Sequence, residues 1–250
     1  MTSELPPPPA QASTSRRLPL WLMILGTGLT TGLLAAVGGE FTYQALDKEP
    51  EYPASVNGLP GSERAVSRAV IRFNTKKTVA TNQAAAAYGL LGLTLGVILG
   101  LAGGFAAGSG RAHAGAGAVG GALGAVAGAG LAMVMVPLFF EYSEATTAAL
   151  WILLAHAAIF AGVGAAGGLA LGWAWGPRGP TVRCLIGGIA GALIGTLVVD
   201  IINVASSGIA RIFEPVPAEP RARFVVNIGI ALCAVFGAAL AGRKRRSGPS

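Results

Sequence analysis

Apolar residues dominate this chain in long blocks, not in the short alternations of a soluble fold. Six blocks carry almost no charge. They run from about Leu18 to Val37, Ala84 to Ala107, Ala114 to Phe140, Thr147 to Trp175, Cys184 to Val204 and Phe224 to Ala241. A helix needs roughly 20 residues to cross a hydrocarbon core of about 30 Å, and each block is of that order. Lipid offers no partner to an open backbone, and nothing here alternates like the strands of a membrane barrel, so the blocks are predicted to be helices. The expected fold is all-α, a polytopic bundle of six transmembrane helices, with a bend at Pro137 in the third.

The flanking segments complete the division of the chain. Residues 1–17, with Pro6 to Pro9 in succession and several Ser and Thr, read as a disordered tail. The membrane domain spans 18–242, and residues 243–250 form a basic tail containing the run RKRR. Arg16 and Arg17 precede an apolar run, as in a secretory signal. That run is too long for a usual signal core, and cleavage would leave an odd number of spans. The one long connection, residues 40–79, begins irregularly through Pro50, Pro53, Gly58, Pro60 and Gly61. Near 62–78 it turns amphipathic: Ser62 suits a cap, Arg64, Arg68, Arg72 and Lys76 recur every fourth residue, and Val66, Val70 and Phe73 share a neighbouring face. This helix reads as an interfacial element touching headgroups, as a stalk running into the second span, or as a plainly solvated face.

Charge gives the orientation. With a cytoplasmic N-terminus, nine Lys and Arg fall on the inner side (Arg16, Arg17, Arg111, Arg178, Arg183, Arg243, Lys244, Arg245, Arg246) against the single acid Glu4. Nine more fall on the outer side, with Glu40, Asp47, Glu49, Glu51, Glu63, Glu141, Glu144, Asp200, Glu214 and Glu219. The bases tie, so the acids and the basic tail carry the expectation that both termini are cytoplasmic in a cell (inner) membrane. Composition agrees with membrane residence: 53% of residues are hydrophobic and 12% charged, and glycine supplies 38 of 250.

Glycine is spaced as well as abundant. Gly92, Gly96, Gly100, Gly104 and Gly108 recur every fourth residue in the second span, as do Gly164, Gly168, Gly172 and Gly176 in the fourth. Gly120, Gly124 and Gly128 repeat the spacing, as do Gly187, Gly191 and Gly195, and Gly28 with Gly32. Such a stripe lets two helix backbones approach and gain dispersion and Cα–H···O contacts, a glycine zipper within the bundle. A backbone-lined pore or a self-associating face is the functional alternative. The chain also reads as three tandem helical hairpins. The even spans end in similar Gly/Ala turns around Gly103, Gly167 and Gly237, and the odd spans end near Glu40, Glu141 and Asp200.

Chemistry in a membrane is sought at ionisable groups. His156 lies inside the fourth span and Asp200 near the end of the fifth. With Glu141 and Glu40, and helped by Thr94, Thr196 and Asn227, they are candidates for a proton or cation path. The plainer reading satisfies His156 locally and leaves the acids at headgroups. No cofactor is expected. Cys184 and Cys233 have no metal-ligand spacing, His113 stands in a short turn, and no phosphate loop of the Walker type is present. The net charge of +7 is split among loops without interleaved aromatics, which argues against nucleic acid. Trp21, Trp151, Trp173 and Trp175 suit membrane interfaces, with core packing the rival for the last two. No catalytic constellation is placed at a shared interface, so an enzyme is not expected. The expected role is a structural or accessory membrane component whose partners are the lipid bilayer and a membrane protein or a second copy. The alternative is a small transporter or channel for protons, cations or a small solute.

Overall fold

The computed structural model describes residues 20–107, 110–142, 147–176, 179–207, 215–217 and 219–243. The tail 1–17, the basic tail after Arg243, and Glu144, Arg178, Arg211 and Glu214 lie outside the described residues. Within the described residues the chain is helical, without strands. The helices are α1 (Leu20–Leu46), α2 (Ala54–Asn57), α3 (Gly61–Ala107), α4 (Gly110–Tyr142), α5 (Ala148–Trp175), α6 (Gly179–Ser207) and α7 (Pro220–Gly242). All but α2 are long and apolar enough to cross a membrane, which makes this a multi-pass integral membrane protein. Large apolar side chains such as Leu34, Val126, Ile186, Ile201 and Phe236 are exposed on the bundle's flanks, as contact with lipid requires.

One boundary differs from the expectation, and one open reading is decided. First, α1 continues to Leu46, well past Val37, because Glu40 finds a partner inside the protein and so does not end the helix. Second, the amphipathic segment is the first part of one 47-residue helix, α3. At 1.5 Å per residue α3 is about 70 Å long, so it projects from any bilayer as a stalk. The Arg ridge of the stalk is turned on the preceding loop: Arg64 donates to the Leu59 carbonyl at 2.7 and 3.1 Å, Arg68 to Asn57 Oδ1 at 3.0 Å, and Arg72 Nε to the Tyr52 hydroxyl at 2.7 Å. The guanidinium of Arg68 also lies 5.3 Å from the Tyr52 ring centre. α4 stays helical through Pro137.

The packing has an inner and an outer set. Helices α3, α5 and α7 touch one another. Each of the others fills a crevice between two of them: α4 between α3 and α5, α6 between α5 and α7, and α1 between α7 and α3. Among the described residues, α1, α4 and α6 make no contact with each other. The first and last spans are therefore neighbours, and the bundle closes on itself. Successive spans are antiparallel, so the start of α1 and the end of α7 share one end, here the terminal end, while Glu40, Glu141 and Asp200 share the opposite, polar end.

Glycines sit where backbones approach most closely. A Cβ on Gly92 would collide with the Gly124 carbonyl, one on Gly96 with Gly120, and one on Gly100 with Gly117 Cα at 2.5 Å, stepping up α3 and down α4. Between α5 and α6 the same holds for Gly164 against Gly188, Gly168 against Cys184 and Gly172 against Thr181. Between α6 and α7 it holds for Gly187 against Gly237, Gly191 against Cys233, and Gly195 against Cys233 Cβ at 2.9 Å. α1 meets α7 through Gly28 at Leu232 and Gly32 at Ile228. Gly104 is also buried. Without side chains at these points the helices gain dispersion contacts that replace the hydrophobic drive missing in lipid.

Candidate functional site

Among the described residues the polar end of the bundle holds three cross-helix pairs of an acid with a basic group. Each acid near the end of an outer helix meets a basic group on an inner one: Glu40 of α1 with Arg223 of α7, Glu141 of α4 with Lys77 of α3, and Asp200 of α6 with His156 of α5. The pairs differ sharply in burial. Lys77 Nζ and Glu141 Oε1 are 2.6 Å apart but half exposed on the acid side, so the pair is worth little in stability.

Arg223 is 7% exposed. Its Nε and Nη2 donate to the Glu40 carboxylate at 2.7 to 3.0 Å, and Nη1 donates to the Pro217 carbonyl at 2.8 Å. The Tyr43 ring, one turn beyond Glu40 on α1, lies 3.9 Å from the guanidinium carbon. The planar fork thus meets a carboxylate edge-on, a carbonyl at its free corner and an aromatic face, a combination lysine could not reproduce. Pro220 starts α7 with a residue that needs no N–H donor there, and this sets Arg223 one turn into the helix, facing α1.

His156 is also 7% exposed and faces the bundle axis. Its Nε2 lies 3.3 Å from the Pro215 carbonyl, which also accepts the Tyr88 hydroxyl at 2.8 Å. A carbonyl only accepts, so this contact is a hydrogen bond in the tautomer that carries its proton on Nε2. Nδ1 then faces Asp200 Oδ1 at 3.4 Å without hydrogen-bond geometry. Attraction across that gap requires a further proton, on Nδ1 or on the carboxyl. The edge of Phe160 closes the group, 5.0 Å from the Tyr88 ring and 5.8 Å from the imidazole.

These contacts converge on the α6–α7 connection. Pro215 to Pro217 enters the polar end of the bundle, with Val216 only 7% exposed, and is held by α3 through Tyr88, α5 through His156 and α7 through Arg223. Proline has no N–H to leave unsatisfied at such a place, and each of the two prolines offers its carbonyl to a donor. Beyond this segment lies a cavity of about 440 Å³, whose lining includes the polar residues Tyr43, Asp47, Lys48, Arg72, Lys76 and Gln83 and the apolar residues Val79, Ala80, Phe140, Pro215 and Val216. His156 is not among its walls; the Pro215–Val216 backbone lies between.

The four residues read as a polar pathway are thus distributed over three pairs. His156 and Asp200 come together, while Glu40 and Glu141 each meet a different base. Thr94 and Thr196 bond to carbonyls of their own helices at 2.9 Å, and Asn227 Nδ2 bonds to the Arg223 carbonyl at 3.0 Å. Deeper toward the terminal end, Leu91, Leu95, Leu99, Val163, Leu171, Ile230, Ala234, Val235 and Ala238 are at most 1% exposed. Among the described residues no group of three or more His, Cys, Asp or Glu is placed to hold a metal ion.

Sequence reading passed over Arg223, Lys77 and Tyr88 as partners. A signal existed for Arg223, which directly precedes the last apolar run and needs a counter-charge to enter it. None existed for Pro215–Pro217, which reads as an ordinary loop. No protein-family model matches the chain, and no curated protein and no solved structure matches it significantly.

Proposed function

We propose that this chain is a non-conducting structural or accessory component of its membrane, and not an enzyme. The observation that carries the reading is the division of the bundle. Among the described residues its buried ion pairs, Arg223 with Glu40 and His156 with Asp200, lie at one end, and beneath them the three inner helices fill the axis with Leu91, Leu95, Leu99, Val163, Leu171 and Ile230, all nearly inaccessible. A path for ions needs polar groups along its whole length, and the side chains that fill this layer are apolar and closely packed. The glycine contacts between α3 and α4, α5 and α6, and α6 and α7 act as glycine zippers that hold the layer shut. The arrangement of three inner helices with an outer helix in each crevice is the one that three tandem hairpins would produce. In this reading the polar end faces outward, both termini are cytoplasmic, and the stalk of α3 with its loop is offered to a membrane-protein partner or a second copy.

A second reading, a small proton-coupled transporter, is favoured by one observation: the imidazole of His156 and the carboxyl of Asp200 face each other at 3.4 Å beneath Pro215. One experiment separates the two. Purified protein in liposomes, followed with an internal pH dye and with K⁺ and Na⁺ gradients, is expected to leak no faster than empty vesicles. A flux well above that background, abolished by His156→Ala or Asp200→Asn, would overturn the non-conducting reading and establish the second.

A further inference from the structure

The cavity at the polar end has a composition that the bundle's packing does not explain. Among the described residues, three cationic side chains, Lys48, Arg72 and Lys76, and three further polar ones, Tyr43, Thr75 and Gln83, line it with one acid, Asp47. They come from the end of α1, the loop after it and one face of α3, so the site is assembled from separate parts of the fold. The rest of the lining is apolar: Val79 and Ala80 on the same face of α3, Val216, and Phe140 held edge-on by Phe73 at 5.9 Å. At about 440 Å³ it falls within the range of roughly 300 to 1,000 Å³ usual for small-molecule sites.

We infer that this cavity binds a phosphate-bearing anion, with the phosphate among Lys48, Arg72 and Lys76 and any hydrocarbon portion on the Val79–Phe140–Val216 wall. Arg72 is suited to the role because only its Nε is used by Tyr52, at 2.7 Å, and the two Nη groups remain as a forked donor for phosphate oxygens. The hydroxyl of Tyr52 fixes that fork in place, and Gln83, bonded to the Tyr43 carbonyl at 3.2 Å, fixes the α1 side of the cavity to α3. A membrane phospholipid headgroup and a free phosphate compound share this chemistry. The inference holds whether or not the bundle conducts.

The test uses the full chain in detergent micelles, titrated separately with phosphatidylglycerol, phosphatidylcholine and inorganic phosphate, with binding read by native mass spectrometry and calorimetry. The double variant R72Q/K76Q is compared with a charge-matched control, K77Q/R221Q, whose residues lie at the same end but do not line the cavity. Phosphatidylglycerol is expected to bind more tightly than phosphatidylcholine. R72Q/K76Q is expected to lose roughly twenty-five-fold in affinity, five-fold per cation, and the control to lose little. Lipid displaced by phosphate would place the whole interaction at the headgroup. Lipid retained against phosphate would assign part of it to the apolar wall. Phosphate binding without lipid preference would identify a free phosphate compound as the ligand. Equal binding by the wild type and R72Q/K76Q, equal loss in the control, or equal affinity for both lipids without phosphate binding would overturn the inference. Unchanged thermal melting of R72Q/K76Q separates loss of the site from loss of the fold.

Discussion

Arg223 brings a full charge to a position that is 7% exposed, and the surrounding residues are what make that tolerable. Glu40 neutralises it, the Pro217 carbonyl accepts from Nη1 and Tyr43 covers one face. Removing only one partner of such a buried pair leaves an uncompensated charge and costs about 3–5 kcal/mol, whereas removing both at matched volume is often neutral. Glu40→Leu alone and Arg223→Met alone should therefore each destabilise by about that amount, and the double variant should recover most of it. A double-mutant cycle on reversible unfolding in mixed micelles measures this. If the two losses simply add, the pair is not coupled and the geometry described here is wrong. Much of this site was legible beforehand: Glu40, Glu141, Asp200 and His156 were marked by the cost of an ionisable group in or near apolar runs. Arg223 and Lys77 were not, because the link from Glu40 to Arg223 joins residues 183 positions apart, and sequence spacing carries no information about which helices become neighbours.

For the helices as elements, glycine spacing was the readable part, since a four-residue recurrence fixes a helix face whatever that face meets. What each face meets was not readable. Gly100 and Gly103 are nearly adjacent, yet Gly100 abuts Gly117 of α4 while Gly103 abuts Leu171 and Ala174 of α5. This distinction sets the sign of a substitution. At Gly96 a methyl group would strike the Gly120 backbone, which cannot yield without separating α3 from α4. Gly96→Ala should cost about 1–3 kcal/mol from overpacking, and Gly100→Leu still more. At Gly130, also on α4 but exposed with nothing within 4 Å, alanine meets no clash and gains helix propensity. Gly130→Ala should stabilise by up to about 1 kcal/mol. Melting temperatures of the purified variants in one detergent decide it. If Gly96→Ala melts at or above the wild type, close backbone packing is not what holds this hairpin.

Over the whole molecule, the decisive feature is that α1 closes the bundle by lying between the last span and the second. The count and order of spans were legible because hydrophobic length alone counts them, but closure was not, since it depends on which faces find each other after insertion. Each membrane helix is stable on its own in lipid, so assembly is a separate step governed by the fit of helix faces. A chain starting at Asp47 should therefore insert its remaining spans, yet it would leave Arg223 without Glu40 and Tyr43 and expose the faces at Leu232 and Ile228 that receive Gly28 and Gly32. It should purify as a heterogeneous or aggregated species by size-exclusion chromatography. Co-expression of residues 1–46 as a separate chain should restore a monodisperse complex, because the missing contacts are side-to-side and need no covalent link. Placing Gly32→Leu in that separate helix should block the rescue by wedging it away from the Ile228 backbone. A truncated chain that is monodisperse and melts like the wild type without the added helix would show that the other five spans hold their arrangement alone. Closure by α1 would then be incidental to the fold.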